Sequence, residues 1–415
     1  MSVDVWGEPV AADFTASIAA WNDAWAEFNH FVGDPFATLA NANRTDDSFV
    51  MGPLFCATYL VLGGSPAGNP ELVREHQRAL SRAQTNREFG HIAALDHLVA
   101  GDFTKAAQQW DAVAANDTDG QDFSAVRFAH DAYLHVGDAQ GRLSSSQAAF
   151  DRWERDRPGW SYVASQLSFA FEEAGDYDAA IALGHEALEA DPLDLWALHS
   201  LAHVYESLDD SATAIGVLRE RQEVWAKQDS LAVHIWWHLA LRLLAIGEVE
   251  EVLAIHDQQI DEATTAFRLS DLVSMLWRLE LAGAEVGDRW DELADRFADL
   301  PQWHTSGFLD LHSAFVYARR PSHPSASRFF DGVEASHPHG HSENDRTFLK
   351  VVKPLVAAVR NGETSPAASA AVLNQLAPTL HRIGGSIAQR DVISLTSDHL
   401  STVASLADPH APETT

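Results

Sequence analysis

The stretch Tyr162–Pro192, YVASQLSFAFEEAGDYDAAIALGHEALEADP, contains two helical runs separated by the pair Gly175-Asp176. Each such pair in this chain follows a helical run, and most precede a second run with an alanine-rich face. Equivalent pairs recur at spacings of 36, 38, 34, 38 and 40 residues: Gly101-Asp102, Gly137-Asp138, Gly175-Asp176, Asp209-Asp210, Gly247-Glu248 and Gly287-Asp288. This pattern is typical of stacked helix–turn–helix repeats, and it predicts a concave inner surface whose lining follows from repeat position.

The repeat also fits the 34-residue tetratricopeptide consensus. Its characteristic positions are taken by Gly175, Tyr177, Ala180, Ala187 and Pro192, and Ser168 takes the small-residue position where paired helices approach closely. The next repeat keeps the register with Leu198, Leu201, Ala202, Tyr205 and Ala214. The sequence therefore predicts an all-α fold, a right-handed superhelix of tetratricopeptide-like helix–turn–helix repeats with extra capping helices at both ends.

The register divides the chain into four parts. We predict an N-terminal helical cap at 1–84, a repeat array at 85–318, a C-terminal helical segment at 319–405 and a disordered tail at 406–415. Apolar periodicity predicts helices at 13–31, 51–62, 71–83 and 307–318, and further helices near 345–360, 366–381 and 389–405. Pro35 and the polar stretch 41–47 interrupt the first pattern, and 319–341 is predicted to be a loop.

Composition narrows the class of partner. The 415 residues are 46% apolar, carry a formal charge of −32 and include only four lysines. This argues against nucleic acid and against anionic lipid as partners, since both require a basic surface. Solubility explains the acidity, and adaptation to a saline habitat is left open.

The remaining sequence features predict a soluble cytoplasmic protein. Cys56 is the only cysteine, which fits a reducing compartment. The N-terminus lacks a basic region followed by an apolar stretch, and no run approaches the ~18 apolar residues of a membrane span. The sequence also lacks a phosphate-binding loop, a dinucleotide fingerprint and a nucleophile elbow.

Histidine and aromatic residues occupy the positions that face the inner side of such an array. In one repeat these are Trp196, His199, His203 and Glu206, spaced three or four residues apart on one helical stripe. The following repeat adds His234, Trp237 and His238, and earlier repeats add His91, Arg127, Tyr162, Phe169 and Glu172. Histidine titrates near neutral pH and tryptophan offers an apolar wall, so this stripe predicts a ligand site. The alternative is that these rings only fill the space between repeats.

No cofactor and no metal site is assigned from the sequence. His199 and His203 stand four residues apart with Glu206 a turn further, so two or three of them could ligate one ion. They lack the His-Glu-x-x-His order of zinc proteases. The tract His337-Pro338-His339-Gly340-His341 is interpreted as a loop that could bind a metal adventitiously.

Several of these segments resemble the tetratricopeptide repeat protein 38 family. The resembling segments are Pro158–Val163, Phe169–Glu173, Asp194–His199, Ala202–Glu206, Trp225, His234–Leu241, His256-Asp257, Leu276–Leu279 and Val286–Trp290. Weaker similarity extends to His91 and to Asp310–His312. The resemblance implies a helical-repeat fold and an inner surface carrying His199, His203, Glu206, His234, Trp237, His238 and His312. It implies no reaction. Where family members tend to have a Gln-Gly-Arg turn, this chain has Ser207-Leu208-Asp209-Asp210, which weakens an anion-binding role for that turn.

Two functions follow from this surface. The first is binding of a small molecule or a peptide by Trp196, His199, His203, Glu206, His234, Trp237, His238, His312, Phe169 and Glu172. The alternative is a cofactor-independent enzyme with His203, Glu206 and His238 as acid–base groups. Enclosure separates the two, because a peptide groove is open whereas a reaction pocket is capped, and the terminal segments are long enough to form a cap. Homo-oligomerisation is left open.

Overall fold

The structure is a computed structural model that describes residues 2–116, 122–227, 231–260, 262–301 and 303–407. Within these ranges the chain is built of helices, apart from one antiparallel pair of two-residue strands, β1 (Ser2–Val3) and β2 (Pro9–Val10). The prediction of an all-α helical-repeat fold is confirmed. Among the described helices, none is long and apolar enough to cross a membrane.

Two compact units make up the chain, Met1–Ile235 and Trp236–Thr415. The boundaries predicted at 84/85 and 318/319 concern where regular repeats begin and end, and they stay predictions. The first unit contains β1, β2 and the helices α1 (Thr15–His30), α2 (Pro35–Thr45), α3 (Met51–Leu62), α4 (Pro70–Arg82), α5 (Asn86–Val99), α6 (Phe103–Asn116), α7 (Phe123–His135), α8 (Ala139–Phe150), α9 (Trp160–Glu173), α10 (Tyr177–Ala190), α11 (Leu195–Ser207), α12 (Ser211–Glu220) and α13 (Gln222–Trp225).

The unit boundary falls inside α14 (Ala232–Ala245). The second unit continues with α15 (Val249–Ile260), α16 (Ala266–Leu281), α17 (Arg289–Ala298), α18 (Gly307–Arg319), α19 (Pro324–Ala335), α20 (Glu343–Thr347), a π-helical turn (Phe348–Val352), α21 (Lys353–Arg360), α22 (Pro366–Leu376), a 3₁₀ segment (Ala377–Ile383) and α23 (Ile387–Ala407). In its core α16 packs against α17, α18 and α23. The Trp277 indole of α16 donates to Thr396 Oγ1 of α23 at 2.8 Å.

Antiparallel hairpins form the body of the first unit. The paired helices are α3/α4, α5/α6, α7/α8, α9/α10 and α11/α12, and each hairpin also contacts the next. Small residues allow the close approach: Ser168 Oγ donates to the Ala180 carbonyl at 2.8 Å and lies 2.6 Å from Ser200 Oγ. A Cβ on Gly184 would lie only 3.0 Å from Leu201 Cδ2. The predicted small position at Ser168 is therefore where three helices meet.

In the Gly-Asp pairs, the glycine ends the first helix of a hairpin and the aspartate caps the second. Gly175 has φ 85°, a left-handed conformation that ends α9, and its N–H donates to the Glu172 carbonyl at 2.9 Å. Asp176 then caps α10, because its side chain accepts from the Ala179 N–H at 3.3 Å. Gly101, Gly137 and Gly247 have the same positive φ, at 82°, 62° and 85°.

Two pairs depart from this scheme. Asp209 takes the left-handed position itself, with φ 53°, where the other repeats have glycine. The predicted pair Gly287-Asp288 does not end a helix in this way. Instead α16 ends at Leu281 and Gly283, with φ 83°, takes the left-handed position, so the predicted turn is four residues too late.

Three predictions about secondary structure are corrected. The interrupted stretch after Pro35 is helix α2, which Asp34 caps by accepting from the backbone N–H groups of Phe36 and Ala37. The predicted loop 319–341 contains α19, whose first position is Pro324, where the missing N–H of proline costs nothing. Of the predicted tail, residues 406 and 407 end α23, and 408–415 lie outside the described residues.

A matched pair of glycine substitutions tests the turn chemistry. A Cβ at Gly175 or at Gly216 would meet no atom within 4 Å, so only the backbone distinguishes the two positions. Gly175 is left-handed, and we expect Gly175→Ala to lower the free energy of unfolding by about 1–2 kcal/mol. Gly216 lies inside α12 without a positive φ, so Gly216→Ala should raise it by up to about 1 kcal/mol. Urea unfolding measures both, and effects of the same sign would contradict the assignment.

Candidate functional site

The first helices of two neighbouring hairpins place aromatic and titratable side chains on one face of the first unit. Phe169 and Glu172 are three residues apart on α9, and Trp196, His199 and His203 form one stripe on α11. All five side chains are buried. The face that the sequence predicted to be open is therefore a buried one, and the side chains on it must be satisfied within the protein or by a ligand.

Helix α1 covers this face. Its Phe28 ring and the Trp196 ring of α11 lie on Arg127 of α7, with the guanidinium carbon 5.0 Å and 5.1 Å from the two ring centres. Phe31, which ends α1 in the left-handed conformation at φ 56°, stacks on Trp196 with the ring centres 6.1 Å apart. Trp25 packs against other aromatic rings of the inner helices. The contacts of Phe28 and Phe31 thus place two rings of the N-terminal segment against Arg127 and Trp196.

Arg127 is also held by an ion pair beneath α1. Its Nε donates to Asp131 Oδ2 at 3.0 Å, and the Tyr59 hydroxyl of α3 donates to the same oxygen at 2.9 Å. Burial raises the pKa of the Tyr59 phenol well above its ordinary value, which keeps it a donor. These contacts join α3, α7, α11 and α1 through one buried cation.

Three imidazole rings meet at the end of the stripe. His203 Nε2 lies 2.9 Å from His199 Nε2, and His199 Nε2 lies 3.0 Å from His234 Nε2. His199 and His203 are 3% and 1% exposed, whereas His234, in the first turn of α14, is half-buried. We call these three residues the histidine row.

The predicted residue Glu172 places a carboxyl group beside the row. Its Oε2 lies 3.9 Å from His203 Nδ1, and its Oε1 accepts from the Ser207 hydroxyl at 2.9 Å. Burial, reinforced by the charge of Glu173, raises the pKa of Glu172. Glu206 is half-buried one turn after His203.

A second group of buried polar side chains surrounds the Phe169 ring. The Arg142 guanidinium carbon lies 4.7 Å over this ring, while the His130 and Trp196 rings lie 6.2 Å and 5.2 Å from it. We call Phe169, Arg142, His130 and Trp196 the Phe169 cluster. In the part of the chain that the structure describes, Arg142 Nε and Nη1, His130 Nε2 and Trp196 Nε1 are buried and have no hydrogen-bond partner.

Sequence reasoning missed two members of this cluster. His130 stands three residues after Arg127 on the inner stripe of α7, so extending the stripe by one turn would have found it. Arg142 lies on α8, the second helix of its hairpin, which the inner-face rule excludes. Its long side chain reaches the Phe169 ring from that helix, a contact that the periodicity of the inner face does not indicate.

The second unit contains three other predicted residues, Trp237, His238 and His312. There Arg278 lies 5.4 Å over the Trp237 ring, which is 4.9 Å from the His238 ring. His312 Nδ1 donates to the Phe308 carbonyl at 2.8 Å, and burial lowers the pKa of His312 to about 4. His312 is therefore a neutral core histidine near pH 7.

His91 likewise has a structural environment. Trp110 Nε1 donates to His91 Nδ1 at 3.2 Å, and the other ring nitrogen donates to Asp122 Oδ2 at 2.8 Å. Arg87 donates to both oxygens of the same carboxylate, at 2.7 Å and 3.0 Å. At His91 the contacts fit the alternative in which a histidine only fills the space between repeats.

The end of α1 is fixed by a titratable contact. His30 Nε2 lies 2.9 Å from Asp191 Oδ2 and 2.9 Å from the Tyr162 hydroxyl. The hydrogen bond to Asp191 raises the pKa of His30 above 6.5, and the same bond lowers the pKa of Asp191 below 3.8. The charged and titratable groups that act on His30 are Asp191, Asp194 and Tyr162.

The stability that this contact contributes should depend on pH. A raised pKa at His30 gives a contribution that is complete below pH 6.5 and is lost as the pH rises through the folded-state value. The lowered pKa of Asp191 gives a contribution lost only in acid. Between pH 6 and pH 8.5 we expect the free energy of unfolding to fall by about 0.5–1 kcal/mol more in the parent protein than in Asp191→Asn.

The comparison of the two proteins removes the charge of Asp191 from both of its titratable neighbours. Burial raises the pKa of Asp194 to about 7, and the charge of Asp191 raises it further, so the substitution changes the contribution of Asp194 in the same direction as that of His30. Urea unfolding at the two pH values gives the four free energies. Equal losses in the parent and in Asp191→Asn would show that His30 gains no charge-assisted bond there.

Comparisons with known proteins add no family to this description. A scan against models of known protein families finds no match. Among solved structures the chain is similar to the Rap conjugation gene regulator of the plasmid pLS20 in complex with the Phr* peptide. The identity is 12%, the match covers 88% of this chain and 98% of that chain, and the TM-score is 0.37. A similarity at that level supports no argument about function.

Proposed function

We propose that the first unit binds a small molecule that joins a carboxylate, or a similar anionic group, to an aromatic or apolar body. The binding site is the Phe169 cluster. The observation that carries the proposal is the set of buried donors without a partner in that cluster: Arg142 Nε and Nη1, His130 Nε2 and Trp196 Nε1. A buried donor left without an acceptor costs about 1–3 kcal/mol, so a ligand with acceptor oxygens would be stabilised there.

The charge of Arg142 favours an anion among such ligands. Glu173 Oε2 lies 3.3 Å from Nη2 of this guanidinium. Burial lowers the pKa of Arg142 by more than the nearby carboxyl groups of Glu173, Glu172 and Asp131 raise it, so these groups compensate the lost hydration of the cation only in part. A carboxylate suits a guanidinium fork because its two oxygens can accept parallel hydrogen bonds.

His130 can supply a further donor. Its Nδ1 lies 3.3 Å from Ser146 Oγ, and in the tautomer in which Nδ1 accepts from that hydroxyl, Nε2 carries the proton. Burial lowers the pKa of His130 well below its ordinary value, so the ring is neutral near pH 7. Donors of this kind fix the orientation of a ligand.

The walls of the site and its cover favour a small ligand. The Phe169 and Trp196 rings stand at 65° to each other with their centres 5.2 Å apart, and rings of this kind bury apolar ligand surface. Phe31 of α1 lies on the Trp196 ring. An extended peptide would require the face that α1 occupies, so we favour the small molecule of the two predicted ligand classes.

Three further assignments belong to this proposal. The strings His199–Glu206 and His234–Leu241 support membership of the tetratricopeptide repeat protein 38 family. The charge of −32 supports a soluble protein that does not bind nucleic acid. The solitary Cys56, which is buried, supports a cytoplasmic location.

A cofactor-independent enzyme at the same face is the alternative function. The specific support is the placement of Glu172 Oε2 3.9 Å from His203 Nδ1 on a buried face. His203 and Glu172 then take the roles that the sequence assigned to His203 and Glu206. A change in the proton NMR spectrum of a bound ligand over time, absent with Glu172→Gln, would favour this alternative over binding alone.

Paired ligands test the binding proposal. Monocarboxylic acids such as benzoate, phenylacetate and indole-3-acetate are compared with their primary amides by isothermal titration calorimetry. We expect an acid to bind more tightly than its amide. Arg142→Lys keeps the positive charge beside Glu173 but loses the planar fork, and it should weaken binding of the acid by about 10- to 100-fold.

Two controls complete the test. Arg155→Gln removes an arginine that lies over Trp160 outside the cluster, so it should leave affinity unchanged. Trp196→Ala should cost about 2 kcal/mol of binding, whereas Trp303→Ala, at an exposed tryptophan of the second unit, should cost none. The proposal fails if no acid is preferred over its amide, or if the preference survives in Arg142→Lys.

A further inference from the structure

We propose that the histidine row is a metal site, in which Nε2 of His199, His203 and His234 binds one Zn²⁺ ion. This goes beyond the proposed ligand site, which uses Arg142, His130, Phe169 and Trp196. Imidazole nitrogen is a preferred zinc ligand, and three histidines suffice for a site that keeps a further coordination position for water or substrate.

The first argument is the valence of the central nitrogen. His199 Nε2 lies 2.9 Å from His203 Nε2 and 3.0 Å from His234 Nε2. A neutral ring nitrogen carries either one proton or one lone pair in the ring plane. It can therefore make one full hydrogen bond with these two neighbours, not two. A metal ion, by contrast, accepts the lone pairs of all three nitrogens at once.

The second argument is the size of the arrangement. The ligand atoms of the row all lie within 4.8 Å of one another. With Zn–N distances of about 2.0–2.1 Å, two nitrogens in a tetrahedral site stand about 3.3 Å apart. The observed 2.9 Å and 3.0 Å require an opening of a few tenths of an ångström, which rotation of three side chains provides.

The surroundings share one feature with those of a zinc-bound histidine, a carboxyl group near the second nitrogen of one ring. Ligating histidines commonly direct their second ring nitrogen at a carboxylate, which orients the ring. Glu172 Oε2 lies 3.9 Å from His203 Nδ1 in this position, and Ser207 holds the other carboxylate oxygen. The half-buried His234 marks the side from which an ion could enter. The Trp196 and Phe169 rings lie 4.7 Å and 5.3 Å from the His199 ring and limit access by water.

Zinc could also bind adventitiously to a second group of histidines, which lies on a different segment from the histidine row. His337, His339 and His341 are exposed, so they could bind zinc without any built site. The starting protein for the test is therefore the full chain with His337→Ala, His339→Ala and His341→Ala, stripped with a chelator. Zn²⁺ is titrated by calorimetry and counted by elemental analysis. We expect one Zn²⁺ per chain, and replacement by Co²⁺ should give the visible absorption of a tetrahedral site.

Ligand substitutions then decide the assignment. In that background His234→Ala and His199→Ala should each weaken zinc binding more than about 100-fold. His185→Ala, which alters a histidine on α10 that contacts the Tyr205 hydroxyl, should leave it unchanged. His234 is half-buried, so its variant tests binding with little risk to folding, and circular dichroism checks the fold of each variant.

A background protein that binds no Zn²⁺ would overturn the proposal. The proposal would also be overturned if the His234→Ala and His199→Ala variants each still bound one Zn²⁺ per chain. The carboxylate titrations are repeated in the presence of chelator, so that failure of the metal site and failure of the ligand site are told apart.

Discussion

Burial of a charged and polar inner face is the constraint on which the first unit depends. Repeat stacking packs α9 against α11, His130 of α7 contacts the Phe169 and Trp196 rings of these helices, and all three helices carry buried polar residues. An uncompensated buried charge is costly, so such a face persists only when cations, carboxylates and rings are matched. Arg127 is the most completely compensated of these buried charges. Its guanidinium lies between the Phe28 and Trp196 rings and donates to Asp131, which also accepts from Tyr59.

The compensation of buried polar groups is less complete at the two proposed sites. Around Phe169 several donors lack an acceptor among the described residues, and in the histidine row three ring nitrogens face one another. Natural proteins rarely leave buried donors such as those around Phe169 without an acceptor unless a ligand completes them. The two proposals therefore have one physical origin, because the same cover that removes water from this face creates the demand for a ligand.

The repeat chemistry made most of the fold predictable, because a turn residue and a small packing residue act locally. Gly175 and Ser168 do in the structure what their positions predicted. Periodicity also found Trp196, His199 and His203. It could not find Arg142, which reaches the site from a second helix, or foresee that α1 would lie across the inner face, since both depend on contacts between distant segments. The family resemblance, and not periodicity, added His312, which in the structure is buried and donates to the Phe308 carbonyl.

Histidine modification by diethyl pyrocarbonate, followed residue by residue with mass spectrometry, tests most directly whether α1 closes the inner face. His337, His339 and His341 are exposed and provide the internal reference. The account predicts that His199 and His203 react far more slowly than these three in the folded protein and at the same rate after unfolding. Reaction of His199 and His203 at the reference rate in the folded protein would contradict it.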